Sequence, residues 1–161
     1  MTNIFEYAMQ MEKDGEDYYR RLAQKTGNNG MKTILIMLAD EEVKHYNALE
    51  KIKTQKTQIA ESEILTDAKN VFVQIKESGE SFDFDIKQTE LYKKAQDIEK
   101  KSRDFYKEKA NEVTEEYQKE LFLKLADEEN KHYLLLDNII DFVSRPEQWL
   151  EDAEFFHLED Y

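Results

Sequence analysis

LADEEVKHY, residues 38–46, and LADEENKHY, residues 125–133, differ only at Val43 and Asn130. Extended outward, MLADEEVKHYNALEKI (37–52) aligns without a gap to KLADEENKHYLLLDNI (124–139), and AMQMEKDGEDYY (8–19) aligns to AQDIEKKSRDFY (95–106). Glu12 and Glu99, Glu42 and Glu129, and His45 and His132 are each 87 residues apart. The spacing between the two motifs is therefore the same in both copies, and the chain is a duplicated half.

Each half reads as a helical hairpin. Positions 35, 38, 42, 45, 49 and 52 alternate by three and four, the spacing of a buried helical seam, and read Leu, Leu, Glu, His, Leu, Ile. The second copy repeats the seam as Phe122, Leu125, Glu129, His132, Leu136 and Ile139. A carboxylate and an imidazole thus interrupt an otherwise apolar stripe at the same place twice. Glu12 falls on the stripe Phe5, Ala8, Gly15, Tyr19, Leu22, and Glu99 on the stripe Tyr92, Ala95, Ser102, Tyr106. Asn3 and Glu6, Asp85 and Gln88, and Thr114 ahead of an acidic turn mark helix starts. The expected helices cover residues 3–25, 30–54, 86–112 and 115–143, with the first hairpin turning at TGNNG, residues 26–30.

The turn fixes the levels. Glu12 and Glu42 are equidistant from residue 27, and at a rise of about 1.5 Å per residue both lie roughly 22 Å from it. Glu99 and Glu129 are likewise centred on Thr114. Four glutamates and two histidines are thereby expected in one layer. Burying four carboxylates together costs several kcal/mol per ion unless they take up protons or a cation sits among them. Two divalent ions would balance the charge. Oxygen donors with one imidazole per metal suit iron first and manganese second, rather than a closed four-ligand zinc site. Glu-x-x-His places both ligands on one helical face.

The paired Glu and Glu-x-x-His motifs resemble rubrerythrin and its relatives in the ferritin-like superfamily, over residues 3–143. The resemblance implies an all-α fold: a ferritin-like four-helix bundle made of two duplicated hairpins joined by a long crossover, about residues 55–85. It also implies two irons bridged by Glu42 and Glu129, with Glu12 and Glu99 as terminal carboxylates and His45 and His132 each completing one iron. Tyr19 and Tyr106 resemble the family tyrosines that hydrogen-bond ligand carboxylates. The implied activity is that of an oxidoreductase reacting with dioxygen or hydrogen peroxide; the alternative is a ferroxidase or iron-binding role in sequestration. The chain departs from the family at Ser102, where rubrerythrin has an additional ligand glutamate. It also lacks the Cys-ligated rubredoxin domain, so electrons are expected from a separate donor such as a rubredoxin.

Composition agrees with this reading. The chain has 161 residues, enough for one sizeable core, with 37% charged residues, one Pro and four Gly, which favours long helices. A net charge of -13 opposes binding to nucleic acid. No cysteine is present, so disulfides, thiolate nucleophiles and iron–sulfur ligation on this chain are excluded. The opening MTNIFEYAMQMEK has no signal-peptide pattern and no apolar run could span a bilayer. A cytoplasmic protein without membrane contact, forming a homodimer, is expected. Residues 1–143 are expected to form the helical domain, with a short helix near AKNVFVQIKES (68–78) in the crossover. Residues 144–161 read as a tail with a brief helix, PEQWL. There, Trp149 is expected to be a lid or dimer contact, and His157 a surface or packing residue. Met11, Met31 and Met37 read as gap-filling core residues, and Gly15 and Ser102 as small residues for close packing or for room beside the metals.

Overall fold

The computed structural model describes residues 3–79, 84 and 87–151. Among them are six α-helices: α1 (Ile4–Lys25), α2 (Asn29–Ile52), α3 (Ile64–Ser78), α4 (Gln88–Ala110), α5 (Glu116–Ser144) and α6 (Pro146–Glu151). None is long and apolar enough to cross a membrane. The four long helices lie within a few residues of the sequence expectation. α3 begins four residues earlier than the segment 68–78, because Ile64 and Leu65 are buried as well.

Local chemistry accounts for most of the ends. Asn3 caps α1 by accepting from the Phe5 N–H at 2.7 Å, and Asn28 caps α2 by accepting from the Met31 N–H at 2.9 Å. Gly79, at φ 68°, closes α3 in the left-handed conformation that glycine adopts without steric cost. Thr114 does not cap α5. The capping position is Glu115, with no side-chain bond. Asp85 lies outside the described residues.

α1 packs most extensively on α2, and α4 on α5; α1 also meets α4, α2 meets α5, and α3 lies against both α2 and α5. The apolar interior forms two clusters. One joins the second half of α1 (Tyr19, Leu22), the first half of α2 (Ile34, Leu35, Leu38), the start of α4 (Tyr92, Ala95) and the end of α5, together with α3 and α6. The other joins Ala8, Leu49, Ile52, Tyr106, Phe122 and Leu125. The predicted stripes are buried throughout, except Phe5, which is partly exposed. Met31 is fully buried, while Met11 and Met37 are partly buried against the clusters.

α6 is part of the core. Trp149 is 3% exposed, with its ring 4.6 Å from Phe72 and 5.5 Å from Phe142, centroid to centroid. The expected lid or dimer contact is therefore an internal packing residue, because α3 presents Phe72 to receive it. His157 lies outside the described residues.

Candidate metal centre

The gap between the two apolar clusters is filled by polar side chains. Glu12, Glu42, His45, Glu99, Glu129 and His132 are each at most 3% exposed. They arrive on four helices at positions where a 3.6-residue repeat would otherwise place leucine or isoleucine. All six come together, as two groups whose candidate donor atoms lie within 4.8 Å of one another: Glu12, Glu42, His45 and Glu129, and Glu42, Glu99, Glu129 and His132. Glu42 and Glu129 belong to both groups.

Each imidazole turns Nδ1 towards the carboxylates. His45 Nδ1 is 2.9 Å from Glu129 Oε1 and 3.4 Å from Glu12 Oε2. His132 Nδ1 is 3.2 Å from Glu42 Oε1 and 3.4 Å from Glu99 Oε1. The two rings lie nearly parallel, 9° apart, with centroids 5.7 Å apart. The tyrosines reach across the repeat: the Tyr19 hydroxyl donates to Glu99 Oε1 at 2.5 Å and the Tyr106 hydroxyl donates to Glu12 Oε1 at 2.6 Å. Burial, reinforced by the adjacent carboxylates, pushes both phenols well above their ordinary range, so they remain protonated donors.

The four carboxyls divide into two kinds. Burial disfavours the charge on Glu12, yet attraction to His45 and hydrogen bonds including that from Tyr106 bring it down to about 2. Glu99 is likewise opposed by burial and lowered by His132 and Tyr19. Glu42 and Glu129 are raised well above the usual range, first by burial and then by repulsion from the other carboxylates. Burial opposes charge on His45 too, but Glu12 raises its pKa overall. Four carboxyls thus share one layer with two imidazoles, and the cost of their crowding falls on Glu42 and Glu129.

Buried oxygens left over say the same thing. Glu12 Oε2, Glu42 Oε1 and Glu99 Oε2 have no hydrogen-bond partner. Buried carboxylate oxygens without donors are costly unless a cation meets them. Hard oxygen donors with one imidazole per group fit iron or manganese. Backbone accommodates the crowding at Gly15, where a Cβ would stand 3.1 Å from Glu42 Oε2. At the repeat-related position, Ser102 is buried at 9% exposure.

One buried carboxylate was not singled out by sequence. Glu128, 2% exposed, accepts from the Ser62 N–H at 3.0 Å, the Ser62 hydroxyl at 2.5 Å and Lys131 Nζ at 3.2 Å. It ties the chain ahead of α3 to α5, outside the six-residue layer. A separate pocket beside the start of α5, walled by Lys56, Ile59, Tyr117 and Leu123, contains none of the six convergent side chains.

Comparison with known proteins gives three results. Curated proteins show no match. Among solved structures, the fold is similar to a hypothetical protein, Pfu-1136390-001, from Pyrococcus furiosus, with a TM-score of 0.59 and 22% identity over 87% of each chain. The profile of the Rubrerythrin family matches residues 3–140, a span that includes every one of the six convergent residues and both tyrosines, and so the chain belongs to the rubrerythrin family.

Proposed function

We infer that the chain is a di-iron carboxylate oxidoreductase that reduces hydrogen peroxide or dioxygen with electrons from a separate carrier, such as a rubredoxin. The carrying observation is the pair Glu42 and Glu129, common to two groups that each add one glutamate and one histidine. In this reading the four long helices form a ferritin-like four-helix bundle, and the connection containing α3 is its crossover. Glu42 and Glu129 would bridge two irons, Glu12 with His45 would complete one, and Glu99 with His132 the other. Manganese has the same donor preferences.

Bound iron would supply the redox chemistry, and peroxide takes up two electrons and two protons to become two waters. The remaining work belongs to the chain. Tyr106 and Tyr19 orient Glu12 and Glu99 and hold them ionised by donating to one oxygen of each. Burial and repulsion favour the protonated forms of Glu42 and Glu129 in the metal-free protein, and protons held there would be released as cations bind. The two apolar clusters exclude bulk water from above and below.

Ser102 favours a second reading. With a serine where rubrerythrin has a further ligand glutamate, the site would have six protein ligands and no fifth carboxylate to exchange. That suits ferroxidation for iron sequestration. Elemental analysis of protein purified without oxygen tests the metal centre: two metals per chain are expected, with both lost in Glu42→Ala and in Glu129→Ala. Stopped-flow oxidation of the di-ferrous protein separates the activities. Peroxide reacting no faster than with free ferrous ion would overturn the peroxidase reading and leave ferroxidation.

A further inference from the structure

Besides facing the carboxylates through Nδ1, His45 lines an open pocket of about 570 Å³ between α2 and the segment 57–63. His45 is 1% exposed, and its Nε2, like that of His132, has no hydrogen-bond partner. It is the one member of the six-residue layer on this wall. An imidazole ligated through one nitrogen normally donates from the other to a carboxylate, carbonyl or water. The pocket is where such a partner would sit.

The charge of the wall is directional. Glu41, Glu61, Glu63 and Asp67 stand against Lys44 and Lys51. Lys44 is already paired with Glu41 at 3.1 Å, and Glu61 with Lys131 at 3.3 Å, which leaves Glu63 and Asp67 facing Lys51. Exposure falls inward along the carboxylates, from a 76% exposed side chain at Glu61 to 14% at Glu41, which precedes Glu42 in the chain. A concave, net negative wall concentrates cations and speeds their arrival.

The repeat sharpens the contrast. Asn47 and Ala48 on this wall correspond to Leu134 and Leu135 in the second half; Ala48 and Leu135 are both buried, and the leucine fills more space. Glu41 corresponds to Glu128, whose carboxylate is already occupied by Ser62 and Lys131. Where the first half has Ala48 and a Glu41 paired with Lys44, the second has the larger Leu135 and a Glu128 held by both Ser62 and Lys131.

We propose that the pocket between α2 and segment 57–63 is the passage by which a hydrated divalent cation reaches the centre, drawn in by Glu61, Glu63 and Asp67 and handed past Glu41 to the His45 side. This rests on the metal-centre reading above. The two positions then load in order, the one completed by His45 exchanging with solvent first.

Cobalt(II) alone, added to the metal-free full chain in a stopped-flow spectrophotometer, reports loading through its visible absorption without any turnover. Neutralising the mouth with Glu61→Gln, Glu63→Gln and Asp67→Asn together changes only exposed side chains. It is expected to slow loading about tenfold at low ionic strength, with the difference shrinking as salt is added. Ala48→Leu, which installs the residue of the second half, slows loading at every salt concentration. In both variants the final cobalt bound and its spectrum match the unmodified protein. A loading rate unchanged by neutralisation overturns the passage, whether or not Ala48→Leu folds. Failure of the unmodified protein to bind cobalt overturns the metal centre itself, and the passage with it.

Discussion

Replacing Glu42 with Gln isolates the proton that the metal-free layer holds there. Burial first, and then repulsion from Glu12 and Glu99, push the Glu42 carboxyl well above its ordinary 4.5. Above pH 4.5, until its raised folded value is passed, the folded chain therefore keeps a proton that the unfolded chain has released. The native state binds more protons than the unfolded state, so stability falls as pH rises, by about 1.4 kcal/mol per pH unit for each retained proton. Gln keeps the shape and has nothing to titrate, so its stability relative to the parent should improve by about 1.4 kcal/mol for each pH unit across that window. Glu129 and His45, also raised, stay in the variant, so the pH slope from the layer is reduced rather than abolished. Urea unfolding with a chelator present, at two pH values within the window, measures the effect. Should parent and variant lose stability in parallel, Glu42 carries no proton in the fold and the picture of a carboxyl-crowded layer fails. With metal present the order reverses, because a cation displaces the proton and the variant has lost a ligand.

Tyr106→Phe removes the donor to Glu12 while keeping the ring. Because Glu12 is lowered in the fold, its contribution is present above pH 4.5 and lost as pH falls towards about 2. The substitution should cost about 1.5–3 kcal/mol at neutral pH, and less on the acid side, in the same unfolding assay. Gly15→Ala must push the Glu42 carboxylate by a few tenths of an ångström, since the new Cβ would lie 3.1 Å from Oε2. Calorimetry should show cobalt affinity down by about tenfold, while the metal-free helix is stabilised by up to about 1 kcal/mol. Ser62→Ala strips the hydroxyl donor from buried Glu128 and should cost about 1.5–3 kcal/mol, read as a shift of the urea midpoint without loss of cobalt binding.

The long helices and the layer were legible because one repeat carried both. A carboxylate and an imidazole on a seam of leucines can be recognised from spacing alone, and finding them at the same offset twice removes the ambiguity of helical phase. Levels followed from the turn at residues 26–30. What spacing could not show were contacts between distant segments with no periodic signal. Glu128 precedes Glu129 in an acidic run, and its repeat partner Glu41, partly buried, pairs with Lys44. Its burial depends on Ser62, 66 residues away in a connection that belongs to neither hairpin. Trp149 was misplaced for a related reason: its socket is made by Phe72 and Phe142, residues that no short-range pattern links to it. The access face of His45 is likewise created by the connection, outside the repeat.

The crossed tyrosines have a consequence for how the two halves hold together. Tyr19 of the first half grips Glu99 of the second, and Tyr106 of the second grips Glu12 of the first. Each four-donor group also borrows one shared glutamate from the opposite half. Neither hairpin owns a complete set. Packing is extensive inside each hairpin and much sparser between α1 and α4 or α2 and α5. The layer is therefore a seam as well as a site, and a cation seated in it would act as a rivet between the halves, beside the two apolar clusters they share. Removing it should loosen the hairpins from each other before either comes apart.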